Sequence, residues 1–391
     1  MNKTSVLSMS LSQSNLQKTL EWLLTEGRRA ANVGEMLVGL SKLLRDLGLP
    51  VDRSTLGAPL LHPIAQSSFC AWDPENGLSQ NFLIWDEAGL SQLKNSPMYA
   101  IYKMGEDTDW YLDSDEAAKR FSVGTGLREA GFTHYLAFAL PFADGSFKAL
   151  TVQTKQAEGF SSDQISFLKS IIVTIAAAAE HHIQRALSET LMNTFVGERA
   201  GTKVLDGQVH RGDGEFIQAV IWMCDLRGFT SFAASREPNE LLEALNVYFD
   251  AVSDAIMSEG GEVLKFIGDA VLGIFPVLED DSRAISNAEK AIEKVLAKRE
   301  EDTWPQGLEF GIGLHVGEVF YGNIGGKTRL DFTVIGQAVN LVSRIEALCR
   351  EFDRPVIVSQ EIASRSSRSY ELMGERLLKG FKDPVAVYAD L

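Results

Sequence analysis

The apolar run Ala219-Val220-Ile221-Trp222-Met223-Cys224 ends in Asp225, and Leu226-Arg227-Gly228-Phe229-Thr230 comes next. A carboxylate at a strand end can hold a hard cation. The backbone N–H groups of Gly228, Phe229 and Thr230, at the start of an expected helix, are placed to receive a phosphate. The same aspartate can equally serve as a helix cap. A second one, Asp269, stands in "EVLKFIGDAVLGIF" at the expected turn of a hairpin. Simple turn chemistry accounts for Gly268-Asp269 by itself. If that hairpin lies beside the first strand, Asp225 and Asp269 meet at one edge. There they could share two Mg²⁺ ions that activate an attacking oxygen and steady a leaving phosphate.

A third stretch, "LDFTVIGQAVNLVSRIEAL", reads as a strand ending at Ile335-Gly336 and then a helix. Asn340 and Arg344 are four residues apart and share one helix face. An amide and a guanidinium aimed at one point suit a sugar and a phosphate; a solvated polar face has the same pattern. Val339, Leu341, Val342 and Ile345 give this helix a buried side. His315, in "GLHVGEV", is read as a packed strand histidine rather than a base.

These residues need a scaffold. The chain has 391 residues, enough for two or three domains, with 45% hydrophobic and 23% charged residues. A formal net charge of −16 repels nucleic-acid backbones and anionic membranes. The three cysteines, Cys70, Cys224 and Cys349, are widely spaced and form neither a disulfide framework nor a metal-ligand pair. No signal-peptide pattern opens the chain, and the most apolar stretch, Ile171 to Ala179, is short for a bilayer. The expectation is a soluble cytoplasmic protein that binds no nucleic acid and inserts in no membrane.

From Phe216 the order reads strand, helix, hairpin, helix, strand pair, helix, short strands. Pro238 opens the first helix, Leu241, Leu245, Tyr248, Phe249, Val252 and Ile256 line it, and Gly260-Gly261 closes it. A β-α-β-β-α-β order points to a ferredoxin-like or palm-like α+β domain. Upstream, Gly39–Leu49 reads as a helix and Phe69–Trp72 and Phe82–Trp85 as strands about Pro74–Gly77. Tyr135–Phe142 and Phe147–Gln153 read as a hairpin about Asp144-Gly145. Leu168, Ile172, Ile175, Ala179, Ile183, Leu187 and Leu191 then form one apolar stripe on a long helix, whose second half is expected to pair with a second copy. Gly197–Glu215 reads as a linker.

The segments "VIWMCDLRGFTSF", "GEVLKFIGDAVLGIF", "GIGLHVGEVFYGNIG", "LDFTVIGQAVNLVSRIE" and "LLKGFKDPVAVY" together resemble the catalytic domain of the class III nucleotidyl cyclases over residues 216–391. The resemblance implies that Asp225 and Asp269 bind two Mg²⁺ or Mn²⁺ ions, with a backbone carbonyl from Leu226. It implies that Lys265 and Thr333 read the purine, Asn340 aligns the ribose, Arg344 stabilises charge on the α-phosphate, and Lys379 holds the terminal phosphates. Thr333 stands where many members carry Asp, and Gln337 where Asp or Asn is common. Lysine with threonine implies ATP, since Lys265 only donates and Thr333 can accept. The family builds each site from two subunits, which implies a homodimer with ATP as substrate. Residues 31–185 resemble a GAF sensor domain, best in "DGSFKALTVQTKQAEGFSSDQISFLKSIIVTIAAAAE", with a small-molecule ligand expected there. His62, Cys70 and Trp72 could line a pocket and are read as structural.

The expected organisation is an N-terminal helical segment (1–30), a GAF-like domain (31–185), a helical connector (186–215) and the cyclase domain (216–391). The expected function is an adenylate cyclase regulated by its N-terminal domain. One rival is a cyclase of other specificity, such as a cyclic-dinucleotide enzyme, whose Gly-Gly-Asp/Glu-Glu-Phe hairpin is replaced here by Phe266-Ile267-Gly268-Asp269-Ala270. The other is a degenerate domain that only binds nucleotide, although its aspartates, Asn and Arg are all present.

Overall fold

The computed structural model describes residues 13–59, 65–84, 91, 93–278 and 280–390. The chain divides into two compact units between residues 191 and 192. The first 12 residues, His62 and Trp85 lie outside the described residues.

The first unit opens with α1 (Gln13–Trp22), a π-helical turn (Leu23–Gly27) and α2 (Val33–Asp46). The Asn32 side chain caps α2 by accepting from Glu35 N, so this helix begins earlier than its Gly39–Leu49 apolar pattern announces. Then come β1 (Arg53–Pro59), β2 (Ala65–Asp73), β3 (Gly77–Ile84), α3 (Met98–Met104), β4 (Thr108–Tyr111), α4 (Asp115–Ala118), α5 (Gly124–Glu129), β5 (His134–Pro141), β6 (Phe147–Thr154) and α6 (Ser162–Val196). The strands make one antiparallel sheet in the order β3-β2-β1-β6-β5-β4. One face packs on α1, α2 and the first half of α6, through Leu37, Leu40, Leu168, Ile171 and Ile175. A smaller cluster around Ile101, Trp110 and Tyr135 covers the other face. By length and composition α6 is apolar enough to cross a bilayer, unlike the short stretch seen in sequence, and its buried residues are those on the sheet.

After the end of α6 the second unit continues with α7 (Glu198–Leu205), which lies in the segment 186–215 read from the sequence as a helical connector and linker. Ala200 on α7 is fully buried against the next sheet, which explains why so charged a segment is ordered. There follow β7 (Gly214–Arg227), α8 (Phe229–Ala234), α9 (Pro238–Ser258), β8 (Glu262–Ile267), β9 (Ala270–Pro276), α10 (Asp281–Arg299), β10 (Glu309–Gly325), β11 (Leu330–Ile335), α11 (Gln337–Glu351), β12 (Val356–Ser359), α12 (Gln360–Arg365), β13 (Tyr370–Arg376) and β14 (Val385–Asp390). The sheet runs β13-β14-β12-β10-β7-β9-β8, with β11 paired to β10. Its β10-β7-β9-β8 half, with α9 and α10, is the ferredoxin-like order expected from the sequence. The long β7–β10 ladder runs in register from Glu309↔Arg227 to Gly322↔Gly214 and fixes the height of every residue on the first strand.

Candidate active site

Asp225 lies near the end of β7, opposite Gly311 of β10. Asp269 is in the two-residue turn between β8 and β9, where Gly268 has a φ of 67°, a conformation that favours glycine. Because β9 pairs with β7 through Cys224↔Val271, strand end and turn reach the same edge. The two carboxyl groups are close enough for each to feel the other's charge. Burial first, then the charge and hydrogen bond of Asp269, push Asp225 up to about 6. Two crowded carboxyl groups without a cation between them are what a divalent ion relieves. Among the described residues no cluster of three or more His, Cys, Asp or Glu side chains could hold a metal. Asp225 and Asp269 are the two carboxylates the site offers, a donor set that suits Mg²⁺, which takes one or two carboxylates and completes its shell with substrate phosphates and water.

A third carboxyl group stands close by that sequence reasoning missed. The Oε1 atom of Glu346 lies 2.8 Å from where a Cβ on Gly311 would sit, and its backbone N lies 2.8 Å from the corresponding point on Gly313. These two glycines let α11 settle onto β10. Burial, then the negative charge of Asp225, raise Glu346 to about 7, while Arg227 opposes the shift. Its signal in the sequence is an acid in the middle of the apolar face formed by Leu341, Val342, Ile345, Leu348 and Cys349.

Asn340 and Arg344 are both exposed and, among the described residues, their side chains make no hydrogen bond or ion pair. Arg344 precedes Glu346 by two residues, which is about 200° around the helix. Glu346 faces Asp225, so Arg344 faces away from it. Within one chain the structure brings Asp225 and Asp269 together and leaves Asn340 and Arg344 on the opposite side of α11. Lys379, between β13 and β14, is likewise exposed. Gly228, with a φ of 64°, starts α8, and the first turn of that helix leaves the N–H groups of Phe229 and Thr230 without intrahelical acceptors.

Within β8 of the same hairpin, Lys265 is ion-paired with Asp331 of β11. Thr333, two residues along the same strand face, is 5% exposed, and its hydroxyl has no partner among the described residues. His315 is buried; its Nδ1 hydrogen-bonds Ser359 Oγ at 2.9 Å and stands 3.5 Å from Glu361. The hydrogen bond from His315, foremost, holds Glu361 down to about 2. This histidine is packed and paired, as expected. In the first unit Trp72 belongs to the core and Cys70 lines a cavity under α6.

Residues 215–389 match the adenylate and guanylate cyclase catalytic domain family. Among characterised relatives, an adenylate cyclase of Anabaena cylindrica is 33% identical over 244 residues, covering 58% of this chain and 48% of that protein. Adenylate cyclase 1 of Rhizobium meliloti is 27% identical over 172 residues, covering 42% of this chain and 26% of that protein. The chain thus spans about half or less of the length of these relatives. Among solved structures, the adenylyl cyclase CyaB from P. aeruginosa aligns at 27% identity over 45% of this chain and 95% of that chain, with a TM-score of 0.39. Residues 215–389 are a class III nucleotide cyclase catalytic domain. The family match stops at this domain and leaves the N-terminal antiparallel sheet without a family.

Proposed function

We propose that the chain is an adenylate cyclase that converts ATP to 3′,5′-cyclic AMP and pyrophosphate at sites shared between two copies. The observation that carries this reading is the division of the machinery across α11. The acid pair faces one way, and Asn340 and Arg344 are free on the other. A second copy related by a two-fold axis supplies to each acid pair the amide and guanidinium it lacks. Half-exposed Phe266, Ile267 and Ile335, on the hairpin and just before α11, give such an interface apolar area.

Asp225 and Asp269, with the Leu226 carbonyl, would hold two Mg²⁺ or Mn²⁺ ions, which would lower the pKa of the ribose 3′-hydroxyl and neutralise charge on the triphosphate. Lys265 donates to the adenine ring nitrogen, and the Thr333 hydroxyl accepts from the amino group. Asn340 holds the ribose so that its 3′-oxygen lies in line with the α-phosphorus. That oxygen forms the new P–O bond as the bond to the β-phosphate oxygen breaks; the proton leaves with solvent and pyrophosphate departs. Arg344 stabilises the charge that develops on the α-phosphate. Lys379 and the amides of Gly228, Phe229 and Thr230 hold the terminal phosphates. Purified protein given ATP, GTP, CTP and UTP with Mg²⁺ or Mn²⁺ tests this; cyclic AMP should dominate, and turnover of GTP equal to that of ATP would contradict the adenine reading.

The N-terminal unit acts in this reading as a GAF-like sensor with a small-molecule ligand. A cavity of about 370 Å³ supports this, with Arg53, Gln153 and Tyr135 side by side on three paired strands and Met98 and Leu127 opposite. The buried Oε1 of Gln153 has no partner among the described residues. The enzyme would work in the cytoplasm, where ATP is.

A further inference from the structure

The cavity of the first unit has a floor and a roof of different chemistry. On the floor Arg53 of β1 stands opposite Gln153 of β6, which stands opposite Tyr135 of β5. The roof is apolar, with Met98 of α3 and Val123 and Leu127 at α5. Three polar groups here are left without good partners. Gln153 is 2% exposed, and its Nε2 donates to Thr151 Oγ1 at 2.8 Å. That bond fixes the amide, and its Oε1 is buried with no donor among the described residues. Arg53 is half-buried and makes no hydrogen bond or ion pair among the described residues. Asp73, at the end of β2, is committed to its own turn, where it accepts from Glu75 N, Asn76 N and the Asn76 amide. The Tyr102 hydroxyl donates to Met98 Sδ at 3.7 Å, a weak acceptor.

We propose that this cavity binds a small organic carboxylate that carries a hydroxyl or N–H donor beside its carboxyl group, on an apolar body. The inference rests on the reading of the N-terminal unit as a sensor and names the class of molecule sensed. A planar guanidinium offers a carboxylate two parallel N–H donors, and the Tyr102 hydroxyl adds a third. Cross-strand partners stand about 5 Å apart and share a face, so the Gln153 oxygen calls for a donor on an atom next to the carboxyl carbon. An unpaired buried acceptor destabilises the free protein, and a donor on the ligand relieves it. Met98, Val123 and Leu127 gain by covering hydrocarbon. Arg53 is the one cation among the described residues that line the cavity. One cation suits one negative charge; a phosphomonoester would bring a second charge against an apolar roof.

The experiment is isothermal titration calorimetry on the full-length protein with 3-phenyllactate and mandelate, and with 3-phenylpropanoate and phenylacetate, which lack only the hydroxyl. Each hydroxy acid should bind about tenfold more tightly than its deoxy partner. Arg53→Met should weaken the hydroxy acids by about ten- to a hundredfold, the range of a lost charge-assisted hydrogen bond. Gln153→Leu should bring each hydroxy acid down to its deoxy partner while the deoxy acids bind as before; a residue that only holds the fold would weaken both alike. Should Arg53→Met not fold, Arg53→Lys keeps the charge, loses the paired donors and should weaken binding by a smaller factor. Absence of saturable binding by any of the four acids at millimolar concentration would overturn the inference. So would binding that Arg53→Met and Gln153→Leu leave unchanged. Cyclic AMP is the phosphorylated probe: binding tighter than that of the acids, and lost in Arg53→Met, would overturn the carboxylate assignment and keep the sensor reading. Cyclase activity measured with each acid tests that reading separately. Acids that bind through Arg53 and Gln153 without changing cyclic AMP formation would support the site and contradict the sensor.

Discussion

Both units build a sheet with helices against it, and each buries some polar side chains that are fully paired and others that are not. In the first unit His134 is fully buried and uses both ring nitrogens: Nε2 meets Asp109 at 2.7 Å and Nδ1 accepts from Phe160 N at 3.0 Å. That histidine is finished; it ties β5 to β4 and to the approach of α6. In the second unit Asp225 is crowded by another carboxyl group, and among the described residues the buried Thr333 hydroxyl and the exposed Asn340 and Arg344 side chains have no partner. A buried polar group without its partner costs free energy that folding alone does not recover. A fold that tolerates several such groups around one edge holds them for something that binds. His134 and His315 are satisfied and hold the fold, whereas the unpartnered Gln153 Oε1 lines the cavity of the first unit and the unpartnered Thr333 hydroxyl lies in the candidate site of the second.

The sharpest way to break this comparison is to remove a crowded carboxyl group. Asp225→Ala and Asp269→Ala should each cut cyclic AMP formation by about a thousandfold or more, since each removes a ligand from a site that supplies several kcal/mol to the transition state. The variants should remain folded by circular dichroism, because the groups removed stabilise nothing in the free protein. Retained turnover would show that the acid pair is architecture after all.

The next effect concerns α6, which runs without a break across the boundary between the units. One residue inserted after Glu189 rotates the downstream part of the helix by about 100°. Turnover should shift by up to about a hundredfold, the cost of misplacing catalytic groups by roughly 1 Å. Inserting about seven residues, close to two full turns, should restore most of the parent activity. Equal activity in all insertion variants would make the helix a passive tether. A smaller effect is expected at the base. Lys265→Glu with Thr333→Cys should erase an ATP preference of about tenfold or more, measured as the ratio of kcat/KM values, because each matched hydrogen bond is worth about 1–3 kcal/mol.

The smallest effect falls on stability. Glu346 is held near 7 by burial and by Asp225, well above its ordinary value of 4.5. A carboxyl group whose pKa is raised by folding favours the folded state when protonated and penalises it when ionised. The penalty is absent below about pH 4.5, grows between there and about 7, and is complete above that. Glu346→Gln should therefore raise the melting temperature at pH 8 without divalent cation by about 2–4 °C, corresponding to ~1 kcal/mol. At pH 4 the gain should vanish. A gain of equal size at both values would mean that shape rather than charge sets the cost.

Much of this site was legible in the sequence because its residues lie on short, strongly patterned elements. Asp225 ends an apolar run, Asp269 sits in a glycine turn, and Asn340 and Arg344 repeat at helical spacing. The hairpin's place beside the first strand came from the β-α-β-β-α-β order. The features that were not legible depend on packing between elements distant in the chain. Glu346 stands among the apolar positions of α11, but its approach to Asp225 depends on Gly311 and Gly313 letting α11 settle onto β10. Asp331 meets Lys265 only when β8 and β11 are brought together by the fold. The segment 198–205 is charged and glycine-bearing, and its helix packs on the sheet through Ala200 and Val204.

The central claim is that each site takes its carboxylates from one copy and its amide and guanidinium from the other. The direct test mixes Asp225→Ala chains with Arg344→Ala chains, each inactive alone, under conditions where subunit exchange is shown by differential labelling. In a mixed dimer one site carries both lesions and the other carries neither. With equal amounts and free exchange, half the dimers are mixed, so activity should return to about a quarter of the parent value. Activity no higher than that of the separate variants, with exchange demonstrated, would contradict the shared site.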